Sequence, residues 1–403
     1  MLESQEILFW RKIMTQFTTL TVQLRKLCLT AAATGVLLAT GTAGAQTLAP
    51  GEYSIGFITE ITGPLAAAGV SYWRGAQQAA EEINAEGWLG KGATLTLIAK
   101  ESGSDAARAV QALTQFAADR NVVATTCCII SPVAGALRPV AVSSKIPLVL
   151  YGATRPGLPQ LPFVSSVVVL PGPSEVKMME QLVKAIKPKT VTFFVNADND
   201  AFQDRFKAAQ KTTEAAGVKT SGVVSILSND TDFTAPATQA MATNPDLISV
   251  FTTQTPAVGI ISALRARGYK GPINTSDVIS PPAVFKKAGE AVVGVPFPIQ
   301  FSADVSSTKE AKAFVASYEK KNKDSPDTYS AQGYTAIYYI AQALRSMNGK
   351  PTREALADAL AKIKSVDRNV YGGLPMIDGQ ADVQNSMLVT WSANGKIVPW
   401  ENK

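Results

Sequence analysis

The sequence predicts an α/β protein with two lobes, each built around a parallel β-sheet with helices on both faces. Short apolar segments alternate with longer segments whose apolar residues recur at helical spacing, and repeated β–α units imply parallel strands. The alternation pauses at Pro171-Gly172-Pro173 and then starts again. About 360 residues follow a predicted N-terminal leader, which is a usual length for two domains.

The leader, residues 1–45, has the features of a cleaved secretory signal peptide. Basic residues at 25–26 precede an apolar segment at 27–39, and the sequence AGA at 43–45 has the small residues of a cleavage site. The whole leader is long, so Met14 is an alternative translation start. The apolar segment is too short to span a membrane. We therefore expect an exported protein.

Composition excludes several classes of function. The whole chain has a net charge of +6, and without its leader it has 34 basic and 30 acidic residues, or +4. No run of Lys and Arg is interleaved with aromatic residues, so nucleic-acid binding has no support. The chain has no His, which removes the Ser-His and Cys-His triads and His-containing zinc sites. We expect no enzymatic activity, no cofactor and no metal.

Two neighbouring cysteines, Cys127 and Cys128, lie in an apolar segment without the CxxC spacing of a metal or redox motif. Two buried thiols are the preferred interpretation, because free cysteines are commonly part of a core. A vicinal disulfide is the alternative in an oxidising compartment.

The elements of the first lobe are predicted in β–α order. Strands are expected at 53–58, 95–99, 122–130 and 146–150. The first helix carries its apolar face at Trp73, Ala76, Ala80 and Ile83.

After Thr190 the pattern restarts as a second α/β lobe. Strands are expected at 190–195, 223–227, 247–251 and 272–275. Helices are expected near 202–216, 233–242, 256–267, 281–288, 311–321, 330–347 and 353–363, and the tail at 375–400 has the pattern of a hairpin.

A candidate site follows two strands of the first lobe. Ser131 is the predicted N-cap of a helix, with Pro132 at its first position, and Gly152, Ala153 and Thr154 follow the next strand. Ligands of parallel sheets bind beyond the carboxyl ends of strands, and helix N-termini bind carboxylates. A carboxylate site is one interpretation. An ordinary β–α–β unit with a well-capped helix is the other.

Segments along nearly the whole chain after the leader resemble the periplasmic solute-binding proteins of the branched-chain amino acid (Leu/Ile/Val) type, which are receptors of ABC importers. These segments are TGPLAAAGVSYWRGAQQAAEEINAEG (62–87), SPVAGALRPVAVSSKIPLVLYGAT (131–154), the Asp/Asn loop before Phe202, LRARGYKGP (264–272), AGEAVVGV (288–295) and YTAIYYIAQAL (334–344).

The resemblance implies a type I periplasmic binding fold, in which two Rossmann-like lobes are joined by three hinge crossings. The crossings would lie near 171–173, 297–301 and 373–376. The N-terminal lobe would then contain residues 46–172 and 300–375, and the C-terminal lobe residues 173–299 and 376–403. Ligand would close the cleft between the lobes.

The resemblance also implies roles for residues of the N-terminal lobe. Ser131 would bind the ligand carboxylate, and Gly152 and Thr154, with Ala153 between them, would bind its polar groups. Ala68 stands near the place where the family commonly has a Tyr, which predicts a wider or differently shaped pocket. Tyr72 or Trp73 would be candidates to line it, with Trp73 preferred as a core residue.

The C-terminal lobe departs further from the family pattern. Phe202 stands where the family often has a Tyr, and Thr253 lies at a Thr-rich strand end. The family's amino acid receptors usually supply an acidic residue for the ligand ammonium, and Asp277 is the remaining candidate because residues 247–276 contain no acid. If Asp277 is only a loop residue, the ligand is expected to be uncharged or acidic, because an unpaired buried charge is costly.

The resemblance therefore implies a monomeric periplasmic receptor, which binds a small molecule without turnover and docks on an ABC permease. The ligand would be a branched-chain amino acid or a related small hydrophobic or aromatic carboxylate or amide. A free ligand-sensing module of the same fold, feeding a regulator, is the alternative.

Overall fold

The computed structural model describes residues 47–63, 65–382 and 386–401. The predicted signal peptide and the alternative start at Met14 lie outside the described residues. Within the described ranges, no helix combines the length and the apolarity that a membrane span requires.

The first part of the chain alternates strands and helices as predicted. Its elements are β1 (Gly51–Thr59), α1 (Ala66–Ala85), β2 (Ala93–Glu101), α2 (Ala106–Ala118), β3 (Val122–Cys127), α3 (Ser131–Ser143), β4 (Leu148–Leu150) and β5 (Val164–Ser166). The five strands pair in parallel in the order β5-β4-β3-β1-β2, so their carboxyl ends share one edge of the sheet.

The second part repeats the pattern. Its elements are α4 (Gly172–Ile186), β6 (Thr190–Asn196), α5 (Asp200–Ala215), β7 (Lys219–Ile226), α6 (Thr234–Ala242), β8 (Leu247–Phe251), α7 (Gln254–Ala266), β9 (Ile273–Thr275), a 3₁₀ turn (Asp277–Ile279), α8 (Pro282–Ala288), a second 3₁₀ turn (Gly289–Val292) and β10 (Phe297–Ile299). Four of these strands form a parallel sheet in the order β7-β6-β8-β9.

The last part of the chain contributes to both lobes. Its elements are α9 (Lys309–Asn322), α10 (Thr328–Arg345), α11 (Arg353–Lys362), β11 (Met376–Ile377), β12 (Gln380–Ala381), β13 (Met387–Trp391) and β14 (Ile397–Pro399). Helices α9 to α11 pack in the core of the first lobe. Strands β13 and β14 form an antiparallel sheet with β10, and their apolar residues belong to the core of the second lobe.

The predicted boundary at 376, with its crossing at 373–376, is too early. β12 pairs in parallel with β5 through Gln380 and Ser166, and β11 pairs antiparallel with β12. Both short strands therefore belong to the sheet of the first lobe. β13, which begins at Met387, instead pairs with β10 of the second lobe.

Helices α1 and α10 pack closely because each contributes a glycine to the contact. A Cβ atom on Gly75 would overlap the backbone carbonyl of Ser330, and one on Gly333 would overlap that of Tyr72. Only a residue without a side chain allows two backbones to come this near. The contact brings the first turn of α10 to the carboxyl edge of the first sheet.

The two adjacent cysteines form a disulfide, so the preferred prediction of two free buried thiols is wrong. Cys127 is the last residue of β3, and Cys128 follows it; both side chains are fully buried. The disulfide immediately precedes residues 129–130, which lead into α3.

Candidate ligand-binding site

A cavity of about 600 Å³, counting its open mouth, lies between the carboxyl edges of the two parallel sheets. The first lobe lines it with Leu65, Ala68, Tyr72, Ile129, Ile130, Ser131, Gly152, Thr154, Tyr329 and Gln332. The second lobe lines it with Asn199, Ala201, Phe202, Arg205, Thr253, Gln254, Asp277 and Val278.

The structure brings seven of the eight predicted site residues to this cavity. They are Ala68, Ser131, Gly152, Thr154, Phe202, Thr253 and Asp277. Ala153 is not among the lining residues, because its side chain points into the core that includes Leu137 and Leu150. The binding roles of all eight remain predictions.

Ser131 is not the N-cap that the sequence predicts. Ile130 occupies the cap position with extended backbone angles and no side-chain cap, and Ser131 is the first residue of α3. The Ser131 hydroxyl instead accepts a hydrogen bond from the backbone N–H of Arg155, at 3.0 Å. It thereby ties the first turn of α3 to the loop after β4.

Gly152 is confined by neighbouring atoms on the floor of the cavity. A Cβ atom at this position would lie 2.6 Å from the Tyr72 hydroxyl and 2.9 Å from the carbonyl oxygen of Cys128. The Tyr72 hydroxyl itself donates a hydrogen bond to Gln332 Oε1, at 2.8 Å. Gly152 therefore leaves room for a phenol that links α1 to α10.

Two stacked tyrosines form an aromatic wall of the cavity. The rings of Tyr72 and Tyr329 lie 5.1 Å apart and 25° from parallel. Burial raises the pKa of both phenols well above the ordinary value, so they remain neutral donors. Trp73, the alternative to Tyr72 in the sequence analysis, packs against Phe57 in the core with ring centroids 5.1 Å apart.

Arg205 forms the centre of a buried ion cluster in the second lobe. Its Nη1 atom lies 2.9 Å from Asp277 Oδ1 and 3.2 Å from Glu175 Oε1. The guanidinium carbon lies 5.1 Å from the centre of the Phe202 ring. Burial lowers the pKa of Arg205, but Asp277 and Glu175 more than offset this effect and the pKa rises. Asp277, predicted as the candidate acid, therefore faces the cavity with a cationic neighbour.

A second buried acid lies beneath the first-lobe side of the site. Glu60 follows β1 and is fully buried, and its Oε2 atom accepts a hydrogen bond from the N–H of Ile129, at 2.7 Å. Burial raises the pKa of Glu60 to about 8. At pH 7 the Glu60 carboxyl group is therefore mainly neutral. It supports the backbone of Ile129, which lines the cavity.

The loops that follow β6 and β8 are held by amide side chains. Asn196 accepts a hydrogen bond from the N–H of Thr253 at 2.6 Å, and Asn199 caps α5 by accepting from the N–H of Ala201. These contacts fix the loop that carries Thr253 and the start of the helix that carries Phe202, and both residues line the cavity.

One ion pair joins the two lobes beside the cavity. Arg155, next to Thr154, places Nη1 2.6 Å from Asp200 Oδ2. Asp200 is the first residue of α5, the helix that carries Phe202. Both charged side chains are partly exposed.

The family described as periplasmic binding protein matches residues 52–396. The chain belongs to this family. As a periplasmic binding protein it is 25% identical over 362 residues to a Leu/Ile/Val-binding protein of Rhizobium johnstonii, an alignment covering 88% of this chain and 95% of that one.

Solved structures of periplasmic binding proteins share the fold. The branched-chain amino acid binding protein LivJ of Streptococcus pneumoniae, in complex with isoleucine, is 25% identical; the match covers 86% of this chain and 98% of that one, with a TM-score of 0.79. A solute-binding protein of R. palustris in complex with benzoate is 20% identical, covering 87% and 95%, with a TM-score of 0.78. The predicted α/β fold class and the resemblance to the Leu/Ile/Val type are confirmed.

The cavity lining also includes Arg205, Tyr329 and Gln332, which the sequence did not predict. Arg205 follows Phe202 by three residues, so helical spacing could have placed both on one face. The predicted helix began at Ser330 and so excluded Tyr329. Asp327 and Ser330 form a capping box, which was an available signal for an earlier start.

Proposed function

We propose that this protein is the exported receptor of an ABC importer and that it captures a small carboxylate with an apolar body in the cavity between its lobes. The observation that carries the proposal is that polar and aromatic groups of both lobes line one cavity. The first lobe contributes the start of α3, the loop with Thr154, and the wall formed by Tyr72 and Tyr329. The second lobe contributes the Phe202 ring and the ion cluster around Arg205. The absence of His and of a nucleophile motif supports binding without turnover.

The first lobe offers the polar end for a carboxylate. The first turn of α3 contains no acidic residue, and unpaired N–H groups of a helix start favour an anion. Within the described part of the chain, nothing hydrogen-bonds the Thr154 hydroxyl, which lies on the same wall. A carboxylate here would accept from the α3 backbone and from Thr154.

Aromatic surfaces enclose the middle of the cavity. Tyr72 and Tyr329 supply one wall, and Phe202 faces the cavity from the second lobe. Burial of an apolar ligand body against these rings contributes about 25 cal/mol for each Å² removed from water. Branched aliphatic and aromatic bodies both suit such surfaces.

Ligand contacts with both lobes would favour the closed arrangement. A ligand shifts this equilibrium only through contacts that exist in the closed state, and here Phe202 and Asp277 would supply them. The closed receptor would then dock on a permease in the membrane.

A calorimetric screen tests the proposal. We expect L-isoleucine, L-leucine or benzoate to bind and to raise the melting temperature by mass action. Ser131→Ala combined with Thr154→Ala should lower the affinity at least tenfold, because a charge-assisted hydrogen bond contributes about 1.5–3 kcal/mol. Thr114→Ala combined with Ser143→Ala, on exposed helical surfaces of the same lobe, is the matched control. Equal affinities for the two double variants would contradict the proposed carboxylate site.

A further inference from the structure

The ion cluster in the second lobe contains one more acid than base. Arg205 contributes one positive charge, whereas Glu175 and Asp277 both approach the same nitrogen, Nη1, at 3.2 and 2.9 Å. With all three groups ionised, the cluster would hold a net negative charge in a buried place. An unbalanced buried charge is costly, so a proton or a ligand cation must balance it.

Geometry selects Glu175 as the acid that holds the proton. Its side chain is fully buried behind Arg205, whereas the Asp277 side chain is 19% exposed and lines the cavity. Glu175 Oε2 has no hydrogen-bond partner among the described residues. Burial raises the pKa of Glu175 to about 8, although Arg205 opposes this shift.

Among the described residues, Arg205 is the one cationic group that acts on Glu175. The charged groups that act on Glu175 are Arg205, from α5, and Asp277, from the 3₁₀ turn. Tyr329 and Tyr72 line the same cavity from the first lobe, and their raised pKa values keep them neutral. A cation that enters the cavity beside Asp277 would therefore take over the charge balance that the Glu175 proton provides.

We propose that Glu175 carries a proton in the ligand-free receptor and releases it to solvent when a ligand ammonium group binds beside Asp277. This inference rests on the proposed function and deepens it, because it couples the binding of amino acids to proton release. Glu175 is a positioning and charge-balancing residue here; it does not line the cavity.

The coupling has a definite direction with pH. Below about pH 8 the ammonium must displace the Glu175 proton, so affinity for an amino acid rises with pH and levels off above that value. The slope approaches about tenfold per pH unit for one released proton. A plain carboxylate of the same shape brings no ammonium and displaces no proton.

Calorimetry of the whole protein, in buffers with different ionisation enthalpies at pH 7, measures the protons released on binding. The probes are L-leucine and L-phenylalanine, with 4-methylpentanoate and 3-phenylpropanoate as their counterparts without an amino group. We expect between about 0.5 and 1 proton to be released with an amino acid and none with its counterpart. Amino acid binding without proton release overturns the inference and leaves the proposed function intact.

Two variants test whether Glu175 is the source of the released proton. Glu175→Gln keeps the shape of the side chain and should abolish the release; Glu180→Gln, on the exposed side of the same helix, should leave it unchanged. Release that persists in Glu175→Gln overturns the inference. Should that variant fail to fold, the measurement on the unaltered protein still decides whether a proton leaves.

The remaining outcomes separate the two proposals. Binding of the plain acids alone would overturn the ammonium step but keep a carboxylate receptor. No binding of any probe or of benzoate would overturn the proposed function and this inference together.

Discussion

Glu60 shows at the scale of one residue how the cavity is supported from below. Its carboxyl group accepts the N–H of Ile129 and meets no cation among the residues that the structure describes, and Glu101, at the end of β2, adds a negative neighbour. Glu101 itself accepts five hydrogen bonds, from the last residue of β1 and from the loops after β1 and β2. The first-lobe wall therefore depends on an acid that folding keeps protonated.

Glu60 makes stability depend on pH in a definite direction. The unfolded chain loses this proton near pH 4.5 and the folded chain near pH 8, so stability falls as pH rises between those values. Glu60→Gln should reduce the slope of unfolding free energy against pH by about 1.4 kcal/mol per unit. Urea denaturation at pH 5, 6, 7 and 8 measures the slope.

An exposed acid in the same lobe provides the control for that measurement. Glu310 lies in the first turn of α9 at the surface, and Glu310→Gln should leave the slope as it is in the unaltered protein. Equal slopes for the two variants would show that Glu60 is ionised in the folded state.

The sequence predicted lining residues in both lobes, but it did not predict the ion cluster of the second lobe. Ser131, Gly152 and Thr154 lie at strand ends that periodicity locates, so their neighbourhood follows from the order of elements. The pairing of Glu175 with Arg205 depends on how α4 crosses α5, and thirty positions separate the two residues. No local pattern encodes such a crossing.

At the scale of elements, the contact between α1 and α10 sets the aromatic wall. Helix α10 is buried nearly all round, and Tyr72 and Gln332 join the two helices by a hydrogen bond. Glycines at the contact bring the backbones close enough for this bond to form.

Gly333→Ala should therefore damage both stability and binding. The added methyl group would overlap the carbonyl of Tyr72, and overpacking of this kind costs about 1–3 kcal/mol. We expect a lower melting temperature and weaker ligand binding, because Tyr72 must move. Gly172→Ala, at the start of α4 where a Cβ meets no atom within 4 Å, is the control. Unchanged affinity in a folded Gly333→Ala protein would contradict the role given to this contact.

Long elements were easier to predict than short ones. The helices and buried strands carry clear periods, whereas β11 and β12 have two residues each and give no periodic signal. Pairing with β5 holds them in the first sheet, and that tertiary preference moved the third crossing beyond its predicted place. The cap at Ile130 differs from the predicted Ser131 because tertiary hydrogen bonding engages the serine hydroxyl.

At the scale of the whole molecule, the two lobes meet through ligand-facing loops. Arg155 extends from the loop that carries Thr154, and Asp200 begins the helix that carries Phe202. Their ion pair would break if the cleft opened. In the closure on ligand that we propose, this pair would add a small bias towards the closed arrangement.

Asp200→Asn should weaken that bias without altering the cavity lining. A partly exposed ion pair contributes about 0.2–1 kcal/mol, so we expect the ligand dissociation constant to rise by a factor of up to about five, mainly through faster dissociation. The difference from the unaltered protein should shrink in high salt, because salt screens exposed charges.

Asp204→Asn is the matched control, since Asp204 lies one turn along the same helix and pairs only with Lys207 among the described residues. Stopped-flow measurements of ligand dissociation would compare the two variants in 0.05 and 0.5 M NaCl, where the Debye length is about 13 and 4 Å. Identical dissociation rates for the two variants at low salt would mean that the Arg155–Asp200 pair does not hold the lobes together.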